Sequence, residues 1–193
     1  MARNDTFLSQ SAIPERSSAG DICAINKTTM FRPANILLSL AILSYIIVIG
    51  GATYEHLAVV PQWTAAPPAS LAMFQGPYGL QAQNFWIPIH PVTVLMMSAA
   101  LVANWRSPRR KPIALCMAGY VIVLVITFAH FVPELIALTT KPYAATIDVD
   151  LQARAANWET ASLVRLAFLN IIASFFLLVL TIPAPMAGSV LRD

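Results

Sequence analysis

The side chains able to do chemistry in this chain are few and lie in apolar surroundings. His56, His90 and His130 are its three histidines, and each sits within or at the end of a strongly apolar stretch. Glu55 adjoins the first, Glu134 follows the third by four residues, and Glu159 opens the last apolar stretch. Ionisable groups are costly in hydrocarbon and persist mainly where they pair, ligate or react. Imidazoles and carboxylates arriving from separate helices are the makings of a metal centre. His130 and Glu134, at i and i+4, share a helix face and could hold one ion or two neighbouring ions. The plainer alternative is a helix-surface hydrogen bond. Glu55 and His56 are adjacent and point about 100° apart on a helix. His56 is therefore the expected ligand, with Glu55 a ligand or a hydrogen-bond partner of one. Three histidines with one to three of Glu55, Glu134 and Glu159 suit a mononuclear centre, or a pair of ions bridged by glutamate. Iron or copper is expected ahead of zinc. Met96 and Met97 read as packing residues.

These groups need helices to position them. Of 193 residues, 58% are hydrophobic and 11% charged, and the mean hydropathy is +0.67. A soluble domain carries about 25% charged residues, so the composition points to a polytopic membrane protein. The net charge of +3 is small and unevenly placed, which argues against nucleic acid as a partner. Cys23 and Cys116 are isolated, with no CxxC, and read as structural thiols.

A membrane-crossing helix needs about 20 apolar residues. Four segments qualify: about 34–60, 86–105, 112–138 and 158–182. The expected fold is an all-α, integral membrane four-helix bundle spanning 34–183. A polar tail (1–33) precedes it and a short one (184–193) follows. Arg3, Arg16, Lys27, Arg32, Arg106, Arg109, Arg110, Lys111 and Arg192 fall on one side, and only Lys141 and Arg154 on the other. Positive residues favour the cytoplasm. Both termini are therefore expected there, in a bacterial inner membrane. All three histidines then lie within about two helical turns of the outer boundary, facing the periplasm or exterior.

Arg165 lies inside the fourth span. It could snorkel outward, pair with Glu55 or Glu134, or hold a substrate anion. No Asp, Glu, Lys or Arg occurs from Leu57 to Trp105, and the connection there carries Trp63, Phe74, Tyr78, Phe85 and Trp86 among prolines. Such a segment suits the membrane interface and could cap the bundle over an apolar pocket. It could equally anchor the protein at the interface or pack on another subunit.

Four stretches together resemble the anthrone oxygenase-like family of small four-helix membrane proteins. Gly50, Gly51, Glu55, His56 and Pro61 lie in a segment similar to that family's first span. Asn84-Phe85-Trp86 is similar to the second-span entry, His130-Phe131-Val132-Pro133-Glu134 to the third-span end, and Trp158 with Arg165 to the fourth. The chain differs at Ser162, near which the family is expected to carry histidine. The resemblance implies oxidation of a phenolic or polycyclic substrate by dioxygen.

The combined expectation is a metal-dependent membrane oxidoreductase of the oxygenase kind, acting on an apolar, aromatic-type substrate. His56, His90, His130, Glu134, Glu55 and Glu159 would hold the metal. Glu55, Glu134 and Arg165 would serve catalysis, and Asn84, Trp86 and Trp158 would line the substrate pocket. Its partners are the lipid bilayer and an apolar small molecule, with a homo-oligomer or partner membrane subunits as further candidates. Two rivals remain open: a b-type haem electron-transfer subunit, and a non-catalytic accessory subunit of a larger membrane complex.

Overall fold

A computed structural model describes residues 32–183. Nearly all of both expected tails, with Arg3, Arg16, Cys23, Lys27 and Arg192, lies outside the described residues. Within them the chain is all-α, without a strand, and has four helices long and apolar enough to cross a membrane. These are α1 (Pro33–Thr64), α2 (Gln83–Ala103), α3 (Arg110–Thr139) and α4 (Val149–Thr181). Each helix packs on its chain neighbours, and α1 closes the bundle on α4. Residues such as Leu43, Leu57, Ile87, Leu95, Leu115, Val125, Phe168 and Phe175 are apolar and exposed. That is what a lipid-facing surface requires. The protein is an integral membrane helical bundle.

Two helices run further than the apolar stretches alone predict. α1 continues through Pro61 to Thr64 because a π-helical turn, Glu55–Val59, immediately precedes the proline. Proline clashes with the carbonyl four residues back, and the wider i→i+5 turn accommodates it without ending the helix. α3 repeats the device, with a π turn at Thr127–Phe131 before Pro133. α4 begins at Val149 rather than near Trp158. The Asp148 carboxylate accepts from Leu151 N at 3.0 Å and caps the helix. Leu151, Ala155 and Trp158 then bury one face of the added turns. Arg165 consequently lies about 24 Å along α4 at 1.5 Å per residue.

Two apolar clusters fill the bundle. One, toward the Arg-rich connection between α2 and α3, contains Tyr45, Met97, Ile113, Tyr120, Leu169 and Phe176 among others. Arg109 closes this end. Although cationic, it is 5% exposed, and it donates to Ile182 O at 2.7 Å and to Asn35 Oδ1 at 2.6 Å. The second cluster, at the end with the two longer connections, holds Val60, Trp63, Leu71, Phe131, Leu138, Leu151, Ala155 and Trp158. The charge-free connection supplies Leu71 and carries a 3-10 turn, Ala69–Phe74. It is tied to the opposite connection by Asp148 N donating to Pro67 O and by Gln75 Nε2 donating to Lys141 O. It therefore does cap the bundle, while Tyr78 stands fully out.

Candidate functional site

Where the two clusters meet, the interior carries a layer of polar side chains from all four helices. From α1 this layer receives Glu55 and His56, from α2 Trp86, His90 and Thr93, from α3 Tyr120 and Thr127, and from α4 Ser162 and Arg165. The π turn in α1 places Glu55 and His56 here. A wider turn has a smaller angular step per residue, so both adjacent side chains reach the bundle interior. His56 is 8% exposed and Glu55 half-buried. Helices α1 and α2 approach closely at this level: a Cβ on Gly51 would stand 2.6 Å from the Phe85 ring.

The contacts in the layer are specific. His56 Nδ1 lies 2.8 Å from Ala52 O. A carbonyl only accepts, so Nδ1 carries the hydrogen. His56 Nε2 is buried and has no hydrogen-bond partner among the described residues. Glu55 Oε1 accepts from Trp86 Nε1 at 2.7 Å. The Trp86 ring stacks on His90 with centroids 5.4 Å apart and planes 22° from parallel. His90 Nδ1 meets the Tyr120 hydroxyl at 2.8 Å, and Tyr120 is wholly buried, edge-on to Tyr45 at 5.0 Å. Arg165 donates to Ser162 Oγ at 2.8 Å and to Thr127 Oγ1 at 3.1 Å. Its guanidinium carbon stands 4.3 Å over the Phe131 ring, a cation–π contact. Glu55 and His90 both lie within electrostatic reach of Arg165, and His56 within reach of Glu55. Among the described residues, no carboxylate comes within ion-pairing distance of Arg165; the one ion pair is elsewhere.

That pair sits on the flank. Arg154 donates to Glu134 Oε1 from two nitrogens, at 2.8 and 3.0 Å. With exposed His130 and with Asn157, Trp158 and Ala161, they line an open groove of about 300 Å³. Among the described residues, no three His, Cys, Asp or Glu side chains gather closely enough to hold a metal ion. The expected single centre on His56, His90, His130, Glu134, Glu55 and Glu159 is not assembled here. His130 is exposed and Phe131 beside it is buried. In α3 the inward face is taken by Thr127 and Phe131, which turns His130 and Glu134 toward the flank. Glu159 is used structurally: it accepts from Thr64 Oγ1 at 2.9 Å and ties α4 to the end of α1.

The expected pocket residues also separate. Trp86 belongs to the layer. Trp158 is 7% exposed, packs on Trp63 and Phe131, and donates to Phe131 O at 3.0 Å, joining α4 to α3. Asn84 is exposed in the first turn of α2, away from the buried groups. Arg165 is not held by Glu134, whose partner is Arg154. Four participants carry no sequence signal of their own: Tyr120, Thr93, Thr127 and Ser162 are single hydroxyls in apolar helices. Their partners lie on other helices or, for Arg165 and Ser162, three residues away. Met97 is wholly buried and Cys116 is a buried free thiol, both packing residues as expected.

Comparison of the chain with family models, with curated proteins and with solved structures finds no match in any of the three.

Proposed function

We propose that the chain is a membrane-embedded oxidoreductase of the oxygenase kind. Its reaction site is the layer of Glu55, His56, Trp86, His90 and Arg165. The substrate is an apolar, hydroxylated aromatic molecule reached from the bilayer, and dioxygen is the oxidant implied by the family resemblance. The observation that carries this reading is unused bonding capacity inside an apolar bundle. Among the described residues, His56 Nε2 is buried without a partner, and the Arg165 guanidinium is hydrogen-bonded only to two neutral hydroxyls. A buried polar group is normally satisfied, and an intramembrane charge normally has a counter-group or a task. A ligand with a polar edge and an apolar body would satisfy both.

The donor set fits acid–base and binding chemistry better than a resident ion, since the carboxylates and imidazoles are dispersed. Arg165 would hold an oxygen anion, Glu55 would balance the charge of the layer, and Trp86 would offer an aromatic face.

The test is oxygen uptake by the full-length protein in lipid nanodiscs, with hydroxylated polycyclic aromatics as substrates. Uptake proportional to protein is expected. It should fall about 100-fold or more in Arg165→Met, the order of effect seen when a preorganised charge-stabilising donor is removed, with helix content by circular dichroism unchanged. No uptake with any such substrate, or equal uptake by the folded variant, would contradict the proposal.

A further inference from the structure

We propose that the two imidazoles of the buried layer are locked in opposite tautomers. On this view His56 is the proton acceptor of the site and His90 its neutral hydrogen-bond donor. The inference rests on the reading of this layer as a reaction site, but its structural half can be tested without any substrate.

The partner of each ring fixes which nitrogen carries the hydrogen. The partner of His56 Nδ1 is the Ala52 carbonyl at 2.8 Å. That oxygen has no hydrogen to give, so the neutral ring is the Nδ1–H tautomer and Nε2 bears a free lone pair. This lone pair is buried and unpartnered among the described residues. His90 has the converse arrangement. Its Nδ1 faces the Tyr120 hydroxyl at 2.8 Å. Tyr120 is wholly buried, and its hydroxyl also meets the Thr93 side chain. A buried O–H has to be donated, so the phenol donates to Nδ1. The neutral His90 ring then carries its hydrogen on Nε2. Thr93 is assigned as the donor in its contact with the phenol oxygen, its approach to Ser44 O being long at 3.4 Å, which leaves the phenol hydrogen for His90.

The two rings thus present unlike edges, a lone pair from α1 and an N–H from α2. Backbone and phenol fix the tautomers, so neither choice costs reorganisation when a ligand arrives. In the step this allows, an acidic O–H or C–H of the ligand gives its proton to His56 Nε2. The electron pair of the broken bond stays on the ligand. The resulting anion is met by the Arg165 guanidinium and the His90 Nε2–H, and the new imidazolium is balanced by Glu55. Nothing is oxidised or reduced in this step. Tyr120 acts through His90 and is a positioning residue.

The experiment is nitrogen-15 NMR of the full-length protein in nanodiscs, labelled in histidine and correlated to ring protons. His56→Gln and His90→Gln each remove one set of signals for assignment. The expected result is His56 protonated at Nδ1 only and His90 at Nε2 only. In Tyr120→Phe, His90 should relax to a tautomer mixture while His56 is unchanged. A proton on His56 Nε2, a proton on His90 Nδ1, or no response of His90 to Tyr120→Phe would overturn the inference. Turnover is read separately. Given activity, His56→Gln should lower it about 100- to 10,000-fold, and unchanged turnover would overturn the acceptor role. Correct tautomers without any turnover would contradict the functional reading alone.

Discussion

The buried layer and the flank groove are built from the same residue types. Each contains histidine, glutamate, arginine and tryptophan, and each draws them from more than one helix. They differ in what those residues have left to offer. On the flank, Glu134 and Arg154 saturate one another and are 31% and 46% exposed, and His130 is exposed beside them. In the layer, among the described residues, Glu55 is held by an indole rather than by a cation, Arg165 is held by hydroxyls rather than by a carboxylate, and one imidazole nitrogen is held by nothing. Opposite charges placed near one another without direct pairing keep their fields available to a third party. Paired charges at a surface cancel and are screened. A cluster of residue types thus marks a reaction site only where the geometry withholds mutual satisfaction.

Two substitutions sharpen the contrast in stability. Trp86→Phe removes the donor to the half-buried Glu55 carboxylate and should cost about 1.5–3 kcal/mol, as expected for a hydrogen bond to a charged group. Denaturation in mixed detergent micelles measures it. An unchanged midpoint would mean that Glu55 finds another donor and that the layer is less preorganised than described. Arg154→Gln removes the flank pair and should cost only about 0–1 kcal/mol in the same assay. A loss as large as that of Trp86→Phe would erase the distinction between the two regions.

Four helices were legible in the sequence because apolar length alone dictates them. The helix ends were less so. Pro61 reads as a stop, yet the π turn at Glu55–Val59 carries α1 past it. Arg154 falls outside the apolar stretch 158–182, yet Asp148 caps a helix that includes it. Azimuth was not legible at all. Whether His130 faces the layer or the flank depends on the π turn at Thr127–Phe131 and on Phe131 filling the interior. Neither follows from a count of residues. Tyr120 escaped notice because a lone tyrosine in an apolar helix has no meaning until His90, thirty residues away, is seen beside it.

The most direct measurement of the central claim is kcat/KM for Glu55→Gln against Glu134→Gln, each in nanodiscs with circular dichroism confirming the fold. Both changes remove one carboxylate charge and keep the side-chain shape, so they differ only in which region they touch. The account predicts a fall of about 100-fold or more for Glu55→Gln and wild-type turnover for Glu134→Gln. Equal losses in the two variants, or a loss in Glu134→Gln alone, would contradict it and move the chemistry to the flank groove.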